Sequence, residues 1–431
     1  MYICDQCNYN SATKLGKCPN CLAFGSFIED ESKNKLKKSN MKTGLNSGKI
    51  LNSSNKTGIG FYNIDNKELN RVFKRGIKKA GIYLLGGEPG IGKSTMMLQI
   101  VDEILKLNKE INIGYFSGEE NEDQISDRID RLNLPGIKEQ IQIYHSSDLE
   151  DIITTTKTKN YDMIIIDSIQ TVYKTGLDAA AGSVNQVKIC SEKISEFCKS
   201  NHITAIIIGH VTKGGEIAGP KYLEHIVDAV LYLEGDRYGQ YRFLRSKKNR
   251  FESTDDVAIF EMCLFGLTPV YNLKERIING ANTNIPGNVL TVGLDNSRPV
   301  IVNLEVLINK TKFKFPQRTA LGIDQNRLDL VIAILERYLK INLGLFDIYV
   351  NIPGEFKFYD SGLDLAIAVA ILGQYKNKII DKKYIFLGEL GLGGQLLKSK
   401  LHEKRLKEIP EGFEIIDSSK IKNIVEIINY I

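Results

Sequence analysis

Over much of the chain, apolar residues gather in short blocks separated by amphipathic stretches. From Gly81 to about Met262 the blocks Ile82–Leu85, Ile111–Phe116, Met163–Ile166, Thr204–Ile208 and Ala229–Leu233 predict strands, and longer patterns such as 95–107 and 184–200 predict helices. Successive side chains of a strand point to opposite faces of its sheet, so a short run of consecutive apolar residues suits a strand buried on both faces. Such strands alternating with helices predict a mostly parallel α/β sheet. Beyond Pro269 a second α/β region follows, with strand-like Val289–Val292, Pro299–Leu304 and Phe346–Val350 and helix-like 325–339 and 361–373.

The pattern disappears near the N-terminus. After Cys21 the chain turns polar, with Lys33, Lys35, Lys37, Lys38, Lys42 and Lys49 among Asn, Ser and Gly. Such a segment buries too little apolar surface to offset its ordering entropy, so residues 29–57 read as a flexible basic linker. It is either a solvated spacer or one that also touches nucleic-acid backbone. Four segments result: a cysteine module at 1–28, the linker at 29–57, the first α/β domain at 58–268 and the second at 269–431.

Composition narrows this picture in three places. A formal charge of +5 over 431 residues is too weak to announce a nucleic-acid binder, so a DNA site must come from local clusters. No run approaches the roughly 20 apolar residues of a membrane span, and Met1-Tyr2-Ile3-Cys4 does not read as a signal peptide. A cytoplasmic protein with no membrane partner is expected. Of seven cysteines, four lie within the first 21 residues; Cys190, Cys198 and Cys263 read as small buried hydrophobes.

Cys4-x2-Cys7 and Cys18-x2-Cys21 place two thiolate pairs ten residues apart, each suited to one side of a tetrahedral Zn²⁺. With no spare ligand or nearby acid, the site reads as structural. Gly87-Glu88-Pro89-Gly90-Ile91-Gly92-Lys93-Ser94 fits the phosphate loop G-x4-G-K-[ST] between a predicted strand and a predicted helix. Its glycines let backbone N–H groups wrap the phosphates of ATP, Lys93 reaches the β/γ oxygens, and the Ser94 hydroxyl ligates Mg²⁺. Thr95 is the next helical residue, contacting phosphate at most. The strand ending in Asp167 presents a carboxylate for the same Mg²⁺ water shell.

Strand 111–116 runs into Ser117-Gly118-Glu119-Glu120, and Gly209-His210-Val211-Thr212-Lys213 follows strand 204–208. By likeness to RecA-like ATPases, Glu119 polarises the attacking water, with Glu120 the second choice, and His210 senses the γ-phosphate. A helix-capping acidic pair and a structural histidine are the plainer readings.

Lys248-Asn249-Arg250-Phe251 resembles the K-N-R-F-G signature of the bacterial RadA (Sms) family, with Glu252 in place of the glycine. The cysteine pattern, Gly86 to Thr95, Ser117 to Glu120, Gly209 to Lys213, Ile217-Ala218-Gly219-Pro220 and Leu223-Glu224-His225 stand in the family's order, so the likeness covers essentially the whole chain. The family's zinc modules commonly carry tryptophan, and this chain has none.

The resemblance implies a zinc knuckle, a RecA-like ATPase core and a Lon-protease-like C-terminal domain. It further implies a hexameric ring on single-stranded DNA and branched recombination intermediates, with the recombinase RecA or a replicative helicase as a candidate partner. Lys248 and Arg250 then reach a neighbour's nucleotide or couple it to DNA; alternatively they join Arg245 and Lys247 in a plain basic surface cluster. Loops 174–183 and 213–221 would face the ring's channel, where Lys174, Lys213 and Lys221 could track phosphates.

Pro316-Gln317-Arg318, Gly322 to Leu328 and Val350 to Gly354 carry the Lon-like resemblance. A Lon-type peptidase needs a Ser–Lys dyad, yet Gly362 falls at the serine's position, beside Ser361, and Glu403 falls about where the lysine belongs. An inactive domain is expected, offering a scaffold and a basic face through Lys310, Lys312, Lys314 and Arg318. The functions consistent with the sequence are a DNA motor, an ATP-switched adaptor for a recombinase and, least in keeping with these residues, an ATP-dependent peptidase.

Overall fold

In the computed structural model the apolar blocks of the first α/β region assemble into one nine-stranded sheet. Its order is Gly266–Pro269, Val257–Cys263, Tyr241–Asn249, Ala229–Gly235, Ile82–Gly87, Thr204–His210, Met163–Asp167, Ile113–Ser117 and Ile141–His145. The strands from Ala229–Gly235 to Ile141–His145 run parallel. The remaining three form an antiparallel wing. The structure describes residues 2–29 except 8, 12 and 14, and residues 60–431 except 139, 211–221, 236–240, 282–283 and 355. The expected linker from residue 30 onward, Lys213, Lys221 and Ile217-Ala218-Gly219-Pro220 lie outside the described residues.

Alternation along the central strands feeds two cores. Tyr83 and Leu85 pack with Met97 and Val101 on one face, while Ile82 and Leu84 pack with Val187, Ile194 and Cys198 on the other. Helix Val184–Ser200 begins where Ser183 accepts from the Gln186 amide, an N-cap that fixes its first turn. Cys190 and Cys198 are buried, whereas Cys263, at the end of its strand, is exposed and departs from the expectation.

Two compact units divide the chain, Met1–Gly58 and Ile59–Ile431. In the first, Tyr2–Cys4 pairs antiparallel with Asn10–Ser11 and with Phe27–Glu29. Within the second, the C-terminal region forms a six-stranded sheet ordered Arg318–Leu321, Phe346–Asn351, Arg298–Lys310, Asn288–Asp295, Tyr384–Phe386 and Glu414–Ile416. Helices Gln325–Leu339 and Asp364–Tyr375 pack against each other, and Leu328, Val331, Leu365 and Val369 join the core of this region. The predicted helix 361–373 opens as a 3-10 turn, Ser361–Leu363, before becoming α-helical at Asp364. The alternating lysines depart further from expectation: the strand ends at Lys310, so Lys312 and Lys314 stand in an exposed loop rather than along one strand face.

A buried ion pair with Glu68, on helix Lys67–Phe73, helps fasten this region to the wing. Arg298 donates to Glu68 at 2.8 Å and 3.3 Å and to the Val257 carbonyl at 2.8 Å. Glu68 also accepts from the Ile259 amide, and the two side chains are among the most enclosed charges of the chain. Removing one partner strands a charge away from water. Arg298→Met alone should therefore lower unfolding stability by about 3–5 kcal/mol, while Arg298→Met with Glu68→Leu should recover a large part of that loss, as measured by denaturant titration.

Candidate functional site

The strand Ile82–Gly87 delivers the chain into a turn that ends in helix Lys93–Leu107. Gly92 is the N-cap, at φ +108°, and no side chain caps the first turn, which leaves its N–H groups available to an anion. A Cβ at Gly92 would meet Met262 Cε at 2.8 Å, and one at Gly87 would meet the Leu233 carbonyl at 2.6 Å. Glu88, Pro89 and Gly90 are exposed, and Ser94 and Thr95 are half-buried. Arg242, from the antiparallel wing, donates to the Ile91 carbonyl at 3.1 Å and steadies the loop.

Lys93 is only 5% exposed. Its ammonium donates to the carbonyls of Gly87 and Glu88 at 3.1 and 2.9 Å and lies 3.1 Å from His210 Nδ1. Burial pulls its pKa down, against the pull of Asp167 and Glu119. Because an ammonium can only donate, Nδ1 must accept, which places the imidazole hydrogen on Nε2. Nε2 then donates to Glu119 Oε1 at 2.9 Å, and the Ser168 hydroxyl donates to the same oxygen at 2.5 Å. The His210 hydrogen bond first, then that of Ser168, holds the Glu119 carboxyl down at about 2. Glu119 is therefore ionised at neutral pH.

Glu120 faces elsewhere, bound to Arg128 by two contacts of 2.5 and 2.6 Å. Of the two candidate bases, Glu119 is the one joined to Lys93 through His210. Asp167 is buried at the end of its strand. Burial raises its pKa, opposed by hydrogen bonds from Tyr115 and Ser94. Tyr115, fully enclosed, donates to Asp167 Oδ2 at 2.6 Å. Ser94 and Asp167 thus meet and offer hard oxygen donors, the ligand chemistry Mg²⁺ prefers. Tyr115 and Ser168 were not legible as site residues; nothing in their local sequence sets them apart.

Lys248 and Arg250 are engaged within their own chain. The Lys248 ammonium donates to the carbonyls of Glu224, His225 and Val227, closing the C-terminal end of helix Tyr222–Ile226. Arg250 donates to Asp228 at 3.1 Å, which also receives Lys199 at 3.0 Å. Arg245 pairs with Asp295 and Glu234. Lys174 lies 3.8 Å from Glu150, and its backbone is clamped by Gln186.

In the separate N-terminal unit, the sulfurs of Cys4, Cys7, Cys18 and Cys21 all lie within 4.8 Å of one another. Cys4 and Cys21 are 3.6 Å apart and Cys7 and Cys18 3.5 Å. Both distances far exceed a disulfide of about 2.05 Å and suit four thiolates around one Zn²⁺.

The C-terminal region has no serine nucleophile at the expected place. Gly362 is buried, and a Cβ there would lie 2.6 Å from Arg405 Nη2 and 2.7 Å from Asp360 Oδ1. Arg405, wholly buried, donates to Asp360 and to the carbonyls of Lys400 and Val292. Glu403 is exposed and paired with Lys398 at 2.8 Å. No sequence signal marked Arg405.

Parts of the chain match described families. Residues 2–29 match the family described as rubredoxin metal binding domain, residues 56–216 the AAA domain, and residues 325–411 the subunit ChlI of Mg-chelatase. A KaiC-like protein of Pyrococcus horikoshii overlaps 49% of this chain and 98% of its own, at 16% identity and a TM-score of 0.41. The DNA repair protein RadA of Halalkalibacterium halodurans is 36% identical, covering 99% of this chain and 98% of its own length. Those of Synechocystis and Rickettsia felis are 35% and 37% identical, each across 98% of this chain and 91% and 94% of their own. With this identity sustained from the thiolate cluster to the C-terminal sheet, the chain belongs to the DNA repair protein RadA family.

Proposed function

We propose that the chain is a DNA-dependent ATPase of recombinational repair that moves on single-stranded DNA and promotes branch migration or D-loop extension. The observation that carries this reading is the convergence of Lys93, Asp167, Glu119 and His210 at the carboxyl ends of neighbouring parallel strands. That edge is where α/β sheets bind ligands.

In the proposed cycle, the free N–H groups at the start of helix Lys93–Leu107 receive the phosphates of ATP. Lys93 exchanges the Gly87 and Glu88 carbonyls for phosphate oxygens. Mg²⁺, held through Ser94 and Asp167, would supply charge neutralisation on the phosphates. Glu119 is the base for the attacking water, and its partner His210 is freed when Lys93 turns to the nucleotide. His210 immediately precedes residues 211–221, so the change is delivered to the segment containing Lys213 and Lys221. Together with Lys174, these lysines are the proposed contacts to the DNA backbone.

The repair role is supported by the relatives, each of them a DNA repair protein RadA. A homo-hexamer on branched intermediates, with Lys248 and Arg250 serving a neighbour's nucleotide, follows from the same reading. RecA or a replicative helicase is the proposed partner, and a structural Zn²⁺ on Cys4, Cys7, Cys18 and Cys21 completes it. Arg405 argues against the peptidase alternative, because its guanidinium fills the space a nucleophile would need.

Lys93→Ala should abolish ATP hydrolysis. Glu119→Gln should lower turnover by about 10²- to 10⁴-fold while nucleotide binding persists. Hydrolysis with and without single-stranded DNA, run beside strand displacement from a D-loop, tests the motor itself. DNA-stimulated hydrolysis without displacement would instead indicate an ATP-switched adaptor.

If Arg250 acts in trans, mixing the inactive Lys93→Ala protein with Arg250→Ala should restore hydrolysis above the sum of the two. An additive mixture would sink the trans role. Gly362→Ser should yield no casein cleavage with ATP and should lower the melting temperature, since the new side chain collides with Arg405.

A further inference from the structure

We propose that Tyr115 is a positioning residue for the divalent cation of the nucleotide site: its buried phenol fixes the orientation in which Asp167 is presented to the cation. The inference rests on the assignment of Ser94 and Asp167 as the groups that hold Mg²⁺. Strands Ile113–Ser117 and Met163–Asp167 are neighbours, with Tyr115 opposite Ile165 and Ser117 opposite Asp167. Tyr115 and Asp167 therefore project to the same face of the sheet, and the length of the phenol carries its hydroxyl up to the carboxylate. The hydroxyl donates to Asp167 Oδ2 at 2.6 Å, and Tyr115 is 0% exposed.

A phenol inside an apolar core must find a hydrogen-bond partner. Here the partner is a carboxylate at the site itself, with Ile113, Met163 and Ile165 in the same core as the ring. Packing of that core fixes the ring, and the ring fixes the carboxylate. Groups that orient ligands from behind commonly matter to metal affinity by about 10- to 100-fold. Phenylalanine would fill the same space and remove only the donor.

The test measures binding of a fluorescent ATP analogue to the full-length chain, once with Mg²⁺ and once with EDTA. The ratio of the two affinities isolates the cation's contribution. Tyr115→Phe should lower this ratio roughly tenfold while the affinity in EDTA stays at the wild-type value. An unchanged ratio, or equal losses in both conditions, would reduce Tyr115 to a packing residue and overturn the proposal.

Asp167→Asn separates the two levels of the argument. It should abolish the Mg²⁺ advantage, and adding Tyr115→Phe to it should cost nothing more. If Asp167→Asn keeps the advantage, the metal assignment itself fails and this proposal falls with it. Loss of the advantage in Asp167→Asn with a normal ratio in Tyr115→Phe overturns this proposal alone.

Should Tyr115→Phe fold poorly, 3-fluorotyrosine placed at position 115 provides a second readout. Its fluorine resonance should shift on addition of Mg²⁺ with ATP and stay in place with ATP in EDTA. Identical spectra in the two conditions would also overturn the assignment.

Discussion

An ammonium removed from water needs compensation on every side, and Lys93 imposes that demand on everything around it. Two loop carbonyls, the unprotonated nitrogen of His210, and the charges of Asp167 and Glu119 meet it. These groups arrive from four neighbouring parallel strands and the turns that follow them. The sheet order is thus the means by which distant parts of the sequence share one cation. A ligand that took Lys93 would also alter the partners of His210 and Glu119.

One strand of the antiparallel wing links this site to the rest of the unit. Along Tyr241–Asn249, Arg242 holds the phosphate loop, Arg245 grips Asp295 of the C-terminal sheet, and Lys248 closes the helix Tyr222–Ile226. The buried Arg298–Glu68 pair, joined to the Val257 carbonyl and the Ile259 amide of the wing, ties the same two regions together. A strand hydrogen-bonded on both edges transmits displacement rather than absorbing it. The ATP site and the C-terminal sheet are joined by charge as well as by packing.

Much of this was legible in the sequence wherever a local rule dictates the answer. Apolar blocks marked the central parallel strands, and the patterns at 184–200 and 325–339 marked helices that Ser183 and Asp324 cap at their N-termini. The phosphate-loop motif and the paired cysteines stood out through spacing, and the fold brings the members of each together. The strand Ile141–His145, only partly buried at the sheet's edge, carried a weaker signal, and the antiparallel wing mixes charges with apolar residues because its cations face other elements. Tyr115, Ser168 and Arg405 were hidden for a different reason. Their partners lie 52, 49 and 45 positions away, so only the folded chain brings them together.

The filled space beside Gly362 also bears on what this domain can become. A serine there would need room now taken by a guanidinium that three acceptors hold in place. Removing Arg405 would take a donor from Asp360 and from the Lys400 and Val292 carbonyls. Placing a nucleophile at position 362 would therefore require several simultaneous changes. Stability alone opposes a side chain there, whatever chemistry the domain carries out.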